Sequence, residues 1–294
     1  MKIKIIAGVV GACVAIAALV FFHLPILDIL LMVFSALAAF ELCGVVGMKN
    51  KPMMIAATAM APLVVVLIGH DLLNATGIGL FPVLLGLGLL LVVLMLARFT
   101  KTTFVHLLYA CVAAFLIPAA ASTLILVREN FFWRYGFFNE QNLALFFVLL
   151  VLTCAWLTDT MALFTGKAFG KRKLCPNISP NKTWAGAIGG VVITTLINVG
   201  LAALFNAFFL QQFRITLTVV AILSLPLCVI AILGDLTAST LKRNLGVKDF
   251  GNLMPGHGGA MDRFDSFLFV APAMLALVQI LQSVGPLALH TIGA

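Results

Sequence analysis

Charge is the scarcest property of this 294-residue chain: 10% of its residues are Asp, Glu, Lys or Arg, against about a quarter in soluble domains. With 63% of the residues hydrophobic, too little polar material remains to cover a globule, and a water-soluble fold is excluded. C-x-x-C spacing is also missing. The six cysteines, Cys13, Cys43, Cys111, Cys154, Cys175 and Cys228, mostly lie in apolar stretches, where a thiol behaves as a small hydrophobe. Neither disulfides nor zinc are inferred. No small-x-small cleavage site follows the apolar run behind Lys2 and Lys4, so that run is expected to be a retained anchor. A Walker G-x4-G-K-[ST] loop, an internal repeat and a low-complexity linker are all absent.

What fills the chain is long apolar stretches, each long enough to cross hydrocarbon as a helix. They predict an all-α, polytopic transmembrane protein with about nine spans, at roughly 5–22, 26–47, 53–69, 80–97, 103–127, 142–166, 184–209, 215–236 and 264–284. Positively charged connectors stay in the cytoplasm during insertion, which places the N-terminus inside and the C-terminus outside. In that orientation only Arg128, Arg134 and Arg214 of the eighteen Lys and Arg fall on the outer side. The formal charge of +8 then sits on the inner face, where it attracts lipid headgroups and nucleotide phosphates; nucleic acid is a poor partner. Residues 1–140 read as a transmembrane framework and 141–294 as a catalytic transmembrane domain with polar cytoplasmic loops. Within the framework, Pro25, Pro62, Pro82 and Pro118 start or kink helices, and Glu41 and His106 are read as lone interfacial groups.

Polar chemistry concentrates late. Asp235 lies near the inner end of the eighth span, and a continuing helix puts Ser239 and Lys242 at i+4 and i+7 on its face. A carboxylate at that depth is costly unless it is paired with a base such as Lys242 or Arg243, or binds a cation. Asp262 and Asp265 open the ninth span, where capping is the plain alternative to chemistry. The run Pro255-Gly256-His257-Gly258-Gly259 lets backbone amides approach phosphates without side-chain obstruction, although a plain turn has the same glycines. His257 is either a phosphate or base contact or a hydrogen-bonded scaffold group.

Residues 239–265, STLKRNLGVKDFGNLMPGHGGAMDRFD, carry S-x-x-K-R-x4-K-D-x5-P-G-H-G-G-x2-D-R-x-D at all thirteen fixed positions. These are Ser239, Lys242, Arg243, Lys248, Asp249, Pro255, Gly256, His257, Gly258, Gly259, Asp262, Arg263 and Asp265. In this the chain resembles the phosphatidate cytidylyltransferase family. The likeness extends to the Gly234-Asp235 pair, to Ser179, Lys182 and Thr183 within PNISPNKTWAG, and to Asp159 with the Gly-Lys-x-x-Gly-Lys run at 166–171. Departures occur at Met161, Leu163, Ala185 and Ala238, which bear on the pocket lining and hence on substrate preference.

The resemblance implies transfer of the cytidylyl group of CTP to phosphatidate, giving CDP-diacylglycerol and pyrophosphate. Both reactants are anions, so their repulsion must be screened and the reacting groups held in line. Mg2+ held by Asp235 and Asp262 is the expected means, with room for a second cation. Lys242, Arg243, Asp249 and Asp265 join them as candidate catalytic groups, though for Asp265 capping and catalysis both stay open. Asp159, Ser179, Lys182, Thr183, Ser239, Lys248, Gly256, His257, Gly258, Gly259 and Arg263 are the expected substrate contacts. The setting implied is a bacterial inner membrane with the active site facing the cytoplasm, and a homodimer is compatible with the chain. A CTP-dependent polyprenol kinase and a transporter are the competing readings; the second is disfavoured because no inverted half matches the polar one.

Overall fold

A chain whose apolar runs exceed 17 residues can satisfy its backbone in lipid only by forming helices, and helices dominate the computed structural model. It describes residues 25–70, 79–133, 141–210, 213–252, 258–284 and 289–291. Among these, seven helices are long and apolar enough to cross a membrane: Ile26–Val45, Lys51–Gly69, Phe104–Glu129, Asn142–Phe169, Trp184–Phe208, Leu217–Asn244 and Met261–Ile280. Leu80–Leu96 is apolar but shorter, at 17 residues. These eight helices fall at eight of the nine expected positions, seven of them long enough to span; the remaining expected span, 5–22, lies outside the described residues. Large apolar side chains such as Ile55, Leu196 and Ile222 are exposed, as a hydrocarbon solvent permits.

The chain divides into two compact units. The first gathers the described residues through Ile125 together with Lys242–Arg263. Its helices Ile26–Val45 and Lys51–Gly69 pack along each other, joined through Gly47 at a left-handed φ of 73°. Asn50 accepts a cap bond from the Met53 amide, while its Nδ2 donates to the Leu94 carbonyl at 2.8 Å and the Thr102 hydroxyl at 3.0 Å. One buried amide thereby fixes two connectors. Pro118 lacks an amide hydrogen, and the helix widens into a π turn over Val112–Leu116 just before it. His106 is less solitary than the sequence suggests: its Nδ1 accepts from the Thr103 amide in a capping box.

The second unit comprises Leu126–Leu241 and the described residues from Phe264. Another π turn, Thr153–Leu157, leads into the helix Thr158–Phe169. The Thr153 hydroxyl there donates to Asn198 Oδ1 at 2.7 Å, and Asn198 Nδ2 donates to Ser224 Oγ at 3.2 Å, a buried polar link among three spans. A small antiparallel hairpin, Lys173–Cys175 with Ser179–Thr183, precedes the helix Trp184–Phe208. Thr183 caps that helix, its hydroxyl accepting from the Gly186 amide at 3.1 Å.

Helices Thr158–Phe169 and Trp184–Phe208 approach closely because small residues face each other. A methyl on Gly186 would lie 2.6 Å from the Ala162 carbonyl oxygen, and one on Gly190 would lie 2.8 Å from that of Thr158. Gly186→Ala is therefore expected to destabilise the protein by about 1–3 kcal/mol through overpacking against backbone. Gly200→Ala, on the same helix with nothing within 4 Å, is the control and should not lower the melting temperature. Thermal unfolding in detergent checks both; equal melting temperatures would remove this contact from the account of the packing.

Candidate active site

The second unit brings Asp159, Lys182 and Asp235 together from three separate elements. Asp235 is carried by the helix Leu217–Asn244 immediately after Gly234. A methyl on Gly234 would lie 2.9 Å from the Phe269 ring and 3.1 Å from Ser266 Cα, so the glycine lets this helix close onto the turn at Ser266. Lys182, at the end of the hairpin, forms an ion pair with Asp235 Oδ2 and stands 3.6 Å from Asp159 Oδ1. The Ser266 hydroxyl donates to the other Asp159 oxygen, Oδ2, at 3.2 Å. Asp159 Oδ1 is a buried oxygen with no hydrogen-bond partner. Two carboxylates thus share one ammonium, which leaves the trio with a net negative charge and one oxygen available to a further cation or donor.

In the first unit three donors from the signature segment converge on Asp262. Lys242 Nζ donates to Asp262 Oδ1 at 2.9 Å, while Oδ2 accepts from the amides of Phe250 at 2.9 Å and Gly259 at 3.0 Å. The carboxylate and the ammonium are nearly enclosed, 5% and 10% exposed. Lys242 also lies over the Phe250 ring, 5.4 Å from its centroid. The helix carrying Lys242 ends where the Val247 amide donates to the Lys242 carbonyl at 2.9 Å, with Gly246 at a φ of 68°. Gly258 is left-handed too, at 83°, and a methyl there would lie 3.3 Å from Asp262 Oδ2 and 3.6 Å from Asp249 Oδ1.

Several expected residues have other duties or remain at the surface. Arg243 is exposed and donates to the Val247 carbonyl of its own loop at 3.3 Å. Lys248, Asp249 and Arg263 are exposed, Ser179 is half-buried and Ser239 is buried. Thr183 holds the helix cap described above. Asp265 is buried, and its Oδ1 accepts from the Ser266 amide at 2.8 Å in the break between Met261–Phe264 and Phe267–Val284. Gly256 and His257 lie outside the described residues. Of the departures, Ala238 is buried and Leu163 is exposed.

Two contributors escaped the sequence reading. Ser266 directly follows the signature, and its only cue is a hydroxyl preceding an apolar run. Glu41 is not the solitary group that the sequence suggests. It is 5% exposed, and its carboxylate accepts from the amides of Ala260 at 2.9 Å and Met261 at 3.0 Å. No local pattern in the sequence announces a partner more than 200 residues away.

Comparison with known proteins gives the same direction. The model of the cytidylyltransferase family matches residues 2–281. The phosphatidate cytidylyltransferase of Bacillus subtilis (strain 168) is 35% identical over 284 residues, covering 95% of this chain and 97% of that one. That of Staphylococcus aureus (strain COL) is 46% identical over 142 residues, 48% of this chain and 52% of the relative. The Staphylococcus haemolyticus protein of the same description is 39% identical over a stretch of the same length.

Proposed function

The chain belongs to the cytidylyltransferase family, and from that premise we propose that it transfers the cytidylyl group of CTP to phosphatidate. A phosphatidate oxygen bonds to the α-phosphorus of CTP, the bond from that phosphorus to the bridging oxygen breaks, and pyrophosphate leaves. The observation that carries the reading is the pair of lysine–carboxylate clusters, Lys182 with Asp235 and Asp159, and Lys242 with Asp262, each assembled from residues of the family signature or its flanking segments.

The chemistry of these residues suits two anionic reactants. Lys182 and Lys242 carry the positive charge that phosphates require, and the carboxylates hold both ammonium groups in place before substrate arrives. The nucleophilic oxygen is already anionic near neutral pH, so no side chain need act as general base.

The carboxylates also suit a hard divalent cation. Asp159 Oδ1, buried and lacking a hydrogen-bond donor, is the kind of atom a cation satisfies, and Asp235 shares its lysine. Asp262 engages three protein donors and retains lone-pair capacity for one more partner. Asp235, with Asp159 beside it, and Asp262 are each a proposed Mg2+ ligand within its own unit. Bound Mg2+ supplies charge neutralisation for the triphosphate. The bias of basic residues toward one set of connectors supports a cytoplasmic active site in a bacterial inner membrane.

Purified protein in detergent, given CTP, phosphatidate and Mg2+, should yield CDP-lipid and pyrophosphate in equal amounts without any ion gradient. Chelation by EDTA should abolish both products, and added Mg2+ should restore them. Release of CDP with the terminal phosphate on a lipid would overturn the reading in favour of a kinase.

A further inference from the structure

We propose that Glu41 is a positioning residue for this reaction: its carboxylate clamps the 259–261 turn and so sets the place of Asp262. The inference rests on the function proposed above and concerns a residue outside the signature.

Three observations within the first unit carry it. The Glu41 carboxylate accepts two consecutive amides, Ala260 at 2.9 Å and Met261 at 3.0 Å, one on each oxygen. Asp262 follows Met261 directly, and the Gly259 amide on the other side of the turn donates to Asp262 Oδ2 at 3.0 Å. Residues 259–262 are therefore tied at one side to Glu41 and closed on themselves by Asp262. The fit around Glu41 is also close from two directions. A methyl on Gly259 would lie 2.5 Å from Oε2, and a methyl on Gly251 would lie 2.5 Å from Oε1. Gly251 is not a fixed position of the signature, and its lack of a side chain is explained by the carboxylate it faces.

A buried acid in a span is expensive unless its oxygens are occupied, and among the described residues Glu41 occupies them with two backbone amides. No substrate atom need touch it. Its effect runs through the turn: the first helix of the described chain supplies the anchor, and the anchor fixes where Asp262 presents its carboxylate to Lys242.

The test uses the full-length protein in detergent with two variants. Glu41→Gln keeps the shape but points an N–H2 group at one of the two amides; Gly251→Ala presses on the carboxylate from a variable position of the signature. For each, hydrogen exchange at Ala260 and Met261 is measured together with turnover per folded molecule and the Mg2+ concentration giving half-maximal rate. The proposal expects exchange at those amides to quicken at least tenfold, turnover to fall at least tenfold, and the Mg2+ midpoint to rise at least fivefold. A merely structural clamp would change the folded fraction and leave the Mg2+ midpoint of the folded molecules unmoved, which would overturn positioning. Unchanged exchange in both variants would overturn the clamp itself. Should Glu41→Gln fail to assemble, Gly251→Ala decides on the same readouts. Wild-type protein that makes no CDP-lipid would instead remove the reaction, whatever the exchange rates show.

Discussion

Asp235→Asn should lower CDP-lipid formation at least 1,000-fold, equivalent to about 4 kcal/mol of transition-state stabilisation, while the protein still assembles. The substitution conserves shape and removes one unit of negative charge. Lys182 is then left with Asp159, 3.6 Å away, as its carboxylate partner in the trio. Loss of the charge weakens any divalent cation held there and biases the ammonium toward Asp159 instead of a phosphate. The folding cost should be small. Lys182 keeps Asp159 as a carboxylate neighbour in the variant, so its ammonium is not stranded without a counter-charge. Initial rates normalised to monodisperse protein, beside the melting temperature, check this; a rate within tenfold of wild type would take Asp235 out of the reaction centre.

Asp262→Asn should differ in kind, losing turnover at least 100-fold and also several degrees of melting temperature. Three donors converge on this carboxylate: Lys242 Nζ and the amides of Phe250 and Gly259. An asparagine has one acceptor oxygen, so either orientation of its amide sets N–H against a donor. Removing one member of an ion pair this enclosed costs about 3–5 kcal/mol, because Lys242 keeps its charge beside a neutral amide. Adding Lys242→Met to Asp262→Asn should recover most of the melting temperature and none of the turnover. If the single variant is both fully stable and active, neither role assigned to Asp262 stands.

The transmembrane architecture was legible because lipid imposes one demand on every span, and apolar length reports it directly. Ile26–Val45 and Trp184–Phe208 fall within two residues of their expected limits for that reason. The hairpin carrying Lys182 was not anticipated, since strands of three and five residues leave no periodicity to read. In the candidate site, the signature marked Lys242, Gly259 and Asp262, which the structure brings together. It could not say that Thr183 serves as a helix cap or that Arg243 turns back on its own loop, because each depends on local backbone geometry. Glu41 and Ser266 were missed for a different reason. Their partners, Met261 and Asp159, are distant in sequence, and only tertiary packing introduces them.

The interlock around Thr183 has a consequence for Lys182. A methyl placed on Gly166 or Gly170 would collide with the Thr183 hydroxyl, at 2.9 and 2.5 Å, and one on Gly186 would approach it at 3.0 Å. The residue next to the ammonium-bearing side chain is thus wedged into a niche that holds its hydroxyl and little more, lined by glycines at the end of one helix and the start of the next. Bulk added to any of those three glycines would shove the neighbouring cation off its mark without altering a single charge, so the electrostatics of this centre are governed by a seam of glycines that carry no charge.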